Sequence, residues 1–175
     1  MLALSLSPAE ALAYLSGIHT TLLVWDRIPQ LLWQLEADDR LLIHTLGFPD
    51  HPAEVELCEQ ILAEFGFDVD TFPAWAIQGL ATVDEVLLYD GDGFAEDAAL
   101  HGCGDDLFSY QSSVGKENSL CYGIRLTDTF FLDEPIYDVL PPLQEDWQSQ
   151  MFWQPESDLQ HFAFRCALIR DRAMY

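Results

Sequence analysis

At 175 residues the chain has the length of one ordinary domain, and with half its residues hydrophobic and 13% aromatic it can bury a real core. Thirty Asp and Glu against seven Lys and Arg give a net charge of −23, which argues against direct nucleic-acid binding, since phosphates call for clustered cations. No apolar segment reaches the roughly 20 residues needed to span a bilayer, so the membrane is excluded as a partner.

Leu2 to Leu6 reads as a short apolar strand. A helix start follows with three agreeing signals: Ser7 can cap, Pro8 suits the first helical position, and Glu10 stands where a capping-box carboxylate reaches back. Ala11, Leu12 and Leu15 give that helix an apolar face, and Gly17 can end it in the left-handed region. The opening MLALSLSPAEALAYLSG has no basic stretch before its apolar run, so the chain reads as cytoplasmic and not as a secreted precursor. Thr20 to Trp25 is β-branched and apolar, a strand; Pro29 to Leu35 reads as a short turn of helix.

Arg40 to Thr45 (RLLIHT) reads as a buried strand. Between Asp50 and Phe65, Val55, Cys58, Ile61, Leu62 and Phe65 recur at helical spacing, acids take the other face and Gly66 closes the helix. Trp75 to Tyr89 is a long apolar strand, with Gly79 marking a bulge or a close backbone approach. Asp92 is expected to cap a short helix from Gly93 to Leu100. Gly102 to Ser119 reads as a surface loop, Leu120 to Phe131 as a strand, and Phe162 to Ile169 (FAFRCALI) as a final strand after a proline-punctuated connection. Strands interleave with a few helices without βαβ alternation, repeat or linker. That order predicts one α+β domain over residues 1–175, built on a curved sheet or small barrel.

Four stretches of this chain, in order, resemble the ASCH group of PUA-like proteins. ALSLSPAEALAYLSGIHT followed by RLLIHT is similar to the family's opening, where a strand, a capped helix and the motif G-x-K-x-x-E-x-R precede a strand ending in Ile-His. IQGLATVDEVLLYDGDGFAEDAALHG resembles its central strand and short acidic helix, and CYGIRLTDTFFLDEPI its following strand with a D-x-P turn. The similarity covers about Leu2 to Ile136, and residues 137–175 are less family-like. It implies a PUA-like β-barrel or curved mixed sheet with peripheral helices and a cleft beside the motif. Members of the family are proposed to bind RNA, and some hydrolyse acetylated cytidine.

Position by position, Gly17 matches the motif glycine, His19 stands at the lysine, Leu22 at the glutamate and Val24 at the arginine. Amide hydrolysis needs a group for the developing oxyanion and a carboxylate to handle the proton. Leu and Val are neither. The resemblance therefore implies a non-catalytic binding module, with Ser7, Gly17, His19, Thr21 and Trp25 lining the inherited cleft. A small nucleoside-like ligand there, or a protein partner with a basic surface, is the expected occupant. Two alternatives stand beside it. One is an acetylcytidine-type nucleoside amidohydrolase with a rebuilt site that uses His19 as a base. The other is a nucleic-acid mimic that inhibits a nucleic-acid-binding protein. The acidity itself has blander readings, solubility or adaptation to high salt.

The remaining candidates carry structural readings. Asp90-Gly91-Asp92-Gly93 opens like a calcium loop, but its twelfth position is His101 instead of glutamate, so a turn and helix cap account for it. Cys58, Cys103, Cys121 and Cys166 lack paired spacing, and neither a metal site nor a cofactor motif is expected. Trp147 and Trp153 sit in a proline- and acid-rich segment. They either offer a partner surface or close one end of the barrel.

Overall fold

The computed structural model describes all residues except 26–33, 105–106, 109–119, 142–151 and 162–175. Among the described residues, six strands and four helices run in the order β1 (Leu2–Leu6), α1 (Pro8–Leu15), β2 (Thr21–Trp25), β3 (Arg40–Thr45), α2 (Pro52–Glu64), β4 (Ala76–Tyr89), α3 (Gly91–Glu96), α4 (Ala98–His101), β5 (Cys121–Ile136) and β6 (Phe152–Trp153). The strands form one mixed sheet in the order β2-β5-β4-β3-β1-β6, curled into a half-barrel. Among the described residues, only the β1–β3 pairing is parallel.

The curl has a local cause. Register shifts interrupt the β3–β4 ladder at Ile43/His44 and the β4–β5 ladder at three places, and each bulge bends and twists its strand. Gly79 lies at one of these shifts. A β carbon on Gly79 would overlap the Phe130 carbonyl and the Leu15 side chain, so this glycine lets β5 and α1 approach β4 together.

Helix α1 forms as its sequence dictates. The Ser7 hydroxyl accepts from the Glu10 amide (3.3 Å) while the Glu10 carboxylate accepts from the Ser7 amide (3.0 Å), with Pro8 in the first turn. Gly17 follows the C-cap at φ +75°. Ala11, Tyr14 and Leu15 join Leu4, Leu6, Leu22, Val24, Leu41, Ile43, Ile124 and Leu126 in the main core, within the concave side of the sheet. On the other flank of α1, Leu12 meets Cys58, Leu62 and Phe72, which seats α2.

Three expectations are corrected. Asp90, not Asp92, is the N-cap: its carboxylate accepts from the Gly93 amide (2.9 Å), and Asp92 falls inside the first turn. The single helix expected after it breaks at Asp97 into α3 and α4. Strand β5 also runs five residues beyond the expected Phe131 end, because its second half pairs with the start of β4. The expected turn at Pro29 to Leu35 and strand at Phe162 to Ile169 fall largely or wholly outside the described residues, as do Trp147 and Cys166. No helix among the described residues is long and apolar enough to cross a membrane.

Candidate functional site

The segment from Gly17 to Trp25 turns off α1 and enters the edge strand β2. His19 sets its ring edge-on to Tyr14, with centroids 6.0 Å apart, and rests on Gly102, which stands at φ +71°. A β carbon on Gly102 would overlap the imidazole. The Thr20 amide donates to the Leu100 carbonyl (2.8 Å), tying the end of α4 to the start of β2.

Strand alternation then divides the residues between two faces. Thr21 and Trp25 point to the side covered by α3 and α4. Thr21 is fully buried, and Trp25 packs on Phe94 and Phe108 at 5.9 and 5.7 Å. Leu22 and Val24 point into the half-barrel and are 2% and 5% exposed within the main core. Ser7 is committed to its capping box. Of the five residues expected to line one cleft, Thr21 and Trp25 share the face packed under α3 and α4, His19 rests on Gly102 beside them, Gly17 closes α1, and Ser7 is held in its capping box.

Beneath α3 and α4 lies a polar network that the sequence reading missed. The Tyr89 hydroxyl donates to Asp97 Oδ2 (2.7 Å), and Arg125 Nη2 donates to the same oxygen (2.9 Å). Arg125 Nη1 pairs with Glu85. Burial, then the bond to and charge of Asp97, push the Tyr89 phenol up to about 12. Burial alone would lower the Arg125 pKa, but the Glu85 and Asp97 charges outweigh it and raise it. Thr21 Oγ1 lies beside the Tyr89 hydroxyl without a hydrogen bond of ordinary geometry, and Arg125 Nε is likewise unsatisfied. The one cation of this network is thus shared between two carboxylates, so it holds two elements together and has no charge left for an oxyanion.

The other reactive groups nearby are quiet. Burial raises the Cys103 thiol, with Glu10 adding to it, and burial pushes Cys121 up to about 12. Both are protonated near neutral pH and are poor nucleophiles. No cluster of three or more His, Cys, Asp or Glu capable of holding a metal occurs among the described residues.

A second network closes the far edge. Val139 O can only accept, so His44 Nε2 carries the proton that meets it (2.9 Å), and His44 Nδ1 accepts from the Ser5 hydroxyl (3.0 Å). Ser5 Oγ in turn accepts from Trp153 Nε1 (2.9 Å). All three side chains are buried, so this serine–histidine pair meets no substrate. Trp153 is buried in a cluster with Ala3, Leu42, Ile77, Leu80 and Leu132. A polar pocket of 160 Å³ lined by Met1, Gln34, Asp39, Arg40 and Gln154, among others, is smaller than the roughly 300 Å³ typical of ligand sites.

This architecture aligns with a crystal structure titled ASCH from Zymomonas mobilis at a TM-score of 0.57, covering 91% of this chain and 90% of that one at 15% identity. The fold is that of an ASCH domain. Two single-substitution variants of the same Zymomonas mobilis protein align at 0.55 and 0.54, with 17% and 16% identity and 92% of this chain covered in each case. No family model and no curated protein sequence matches the chain. Identity this low speaks to the ASCH fold alone. Within it, the positions at which the resemblance puts a glutamate and an arginine are Leu22 and Val24, and both are core.

Proposed function

We propose that this chain is a non-catalytic binding module on an ASCH fold, engaging a protein partner that carries a basic surface. The observation that carries the reading is the burial of Leu22 and Val24 among Ile124, Leu126 and Val83. Where the family motif would place ionic side chains facing a cleft, apolar side chains fill the half-barrel. A hydrolase of this type needs an oxyanion-stabilising group and a proton-handling carboxylate. Leu22 and Val24 are neither, and Arg125 is already neutralised by Glu85 and Asp97. A net charge of −23 repels nucleic-acid phosphates and attracts cationic protein surfaces.

Two measurements on the purified chain test this. Acetylcytidine is incubated with the protein and with His19→Ala from about pH 5 to 9, a window of roughly two units around an ordinary histidine. Equal background rates are expected; turnover lost in His19→Ala would replace the binding reading with the amidohydrolase one. A labelled single-stranded RNA is then titrated at about 0.15 M salt, where surface charge is screened beyond roughly 8 Å. No saturable binding is expected, and tight binding would overturn the charge argument.

A further inference from the structure

Residues 41–115 and 126–164 contain no Lys or Arg, although acids are spread through both stretches. The fold brings parts of these two stretches together at two neighbouring places. Phe67 sets its ring edge-on to Phe72 at 5.3 Å and tilted to Phe131 at 6.4 Å. Trp75, three residues beyond Phe72, lies over Gly47, where a β carbon would fall 2.8 Å from the indole. The Val139 amide donates to the Trp75 carbonyl (3.1 Å), which brings the segment carrying Tyr137 and Leu140 against the same turn.

Unlike Phe94 and Phe152, which are fully buried, these side chains remain in solvent. Trp75 is 43% exposed, Tyr137 58% and Leu140 72%, and Phe67 and Phe131 are exposed beside them. Single exposed apolar residues are ordinary, whereas a linked set marks an interaction surface. Trp75 also stands at φ +52°, a conformation that costs energy for a bulky residue. The turn is held from inside: Thr45 Oγ1 (2.8 Å) and Gln78 Nε2 (2.6 Å) both donate to the Pro73 carbonyl. Asp68, Asp133, Glu134 and Asp138 lie exposed in the segments that carry the rings, with no cation in those segments.

We infer that this face is a docking surface for a cationic segment of a partner protein, one carrying arginine or lysine beside aliphatic or aromatic side chains. This rests on the basic-partner reading above and names its surface. The rings supply buried area and faces on which guanidinium groups stack. The acidic rim supplies attraction and excludes the other occupants. A nucleic acid is repelled, and so is a second copy of this chain, which brings the same −23 charge.

The test is fluorescence anisotropy with a fluorescein-labelled peptide of alternating arginine and leucine, against an all-arginine peptide of equal length. The mixed peptide is expected to bind more tightly than the all-arginine one and to weaken as salt rises. Trp75→Asn combined with Leu140→Ser is expected to weaken it about tenfold, the scale of losing one anchor residue. Asparagine tolerates positive φ, so the turn is kept. Tyr137→Ser is the second variant if the first misfolds. Leu88→Ser, an exposed leucine near the far end of β4, is expected to change nothing. If the mixed peptide binds and the Trp75, Leu140 and Tyr137 variants bind it equally well, the surface is wrong and the basic-partner reading stands. Equal affinity for both peptides likewise overturns the aromatic anchor. If neither peptide binds the unmodified chain, both inferences fall.

Discussion

Among the buried side chains that run from Trp153 through Ser5 to Val139, His44 is the one whose charge changes near neutral pH. Burial lowers its pKa below the ordinary value, and the bond to Val139 offsets this in part. The unfolded chain therefore takes up a proton at a higher pH than the folded one does. The stability held by neutral His44 is whole above about pH 6.5 and is lost as pH falls from there through the folded value. Protonation puts a hydrogen on Nδ1, which then no longer accepts from Ser5. Urea midpoints are expected to fall further between about pH 7.5 and 5.5 in the native chain than in His44→Gln, because every other group is common to both. Equal pH dependence in the two would show that His44 takes up its proton at the same pH in the folded and the unfolded chain.

At the scale of elements, the Arg125 network is what fastens α3 and α4 to the sheet. Arg125 belongs to β5, Glu85 and Tyr89 to β4, and Asp97 to the break between the two helices. Phe94 is the buried apolar anchor of the same pair, packed on Trp25, Tyr89 and Phe108. The polar clasp is partly open to water, with the Arg125 side chain 29% exposed, so its worth is modest. Arg125→Gln is expected to cost about 1 kcal/mol, less than a buried charged bond because solvent screens it. The more diagnostic readout is local: amide exchange should quicken across residues 91–102 while β1 and β3 keep their protection. A uniform change across the sheet would mean that the clasp supports the whole fold instead of two helices.

At the scale of the whole molecule, a charge of −23 on one chain of 175 residues means self-repulsion in the compact state. Screening should relieve it. Raising sodium chloride from about 0.05 to 0.5 M, which shortens the screening length to a few ångströms, is expected to stabilise the chain by roughly 1 kcal/mol, or about 2–4 °C in Tm. A flat or falling Tm would mean that salt breaks more attractive pairs than it screens repulsive ones. The same charge bears on the proposed recognition: association of a cationic protein with the apolar aromatic face should slow as salt rises.

The sequence by itself determined whatever rests on neighbours within a few residues. The Ser7–Pro8–Glu10 start of α1, the left-handed Gly17 and Gly66, the strand at Leu2–Leu6 and the special role of Gly79 were all legible, since capping, chain reversal and side-chain alternation are local physics. The order of such elements pointed to a curved sheet or small barrel, and four stretches of residues carried the ASCH resemblance. The sequence also showed that Leu22 and Val24 replace charged positions. Only the tertiary structure decided what that replacement does, by packing both into a core assembled from five other strands and α1. The Tyr89–Asp97–Arg125 network, the Ser5–His44–Trp153 chain and the Phe67–Trp75–Tyr137 face were invisible beforehand for one reason. Each joins residues from separate elements, up to 148 positions apart for Ser5 and Trp153, and linear spacing carries no record of which strands become neighbours.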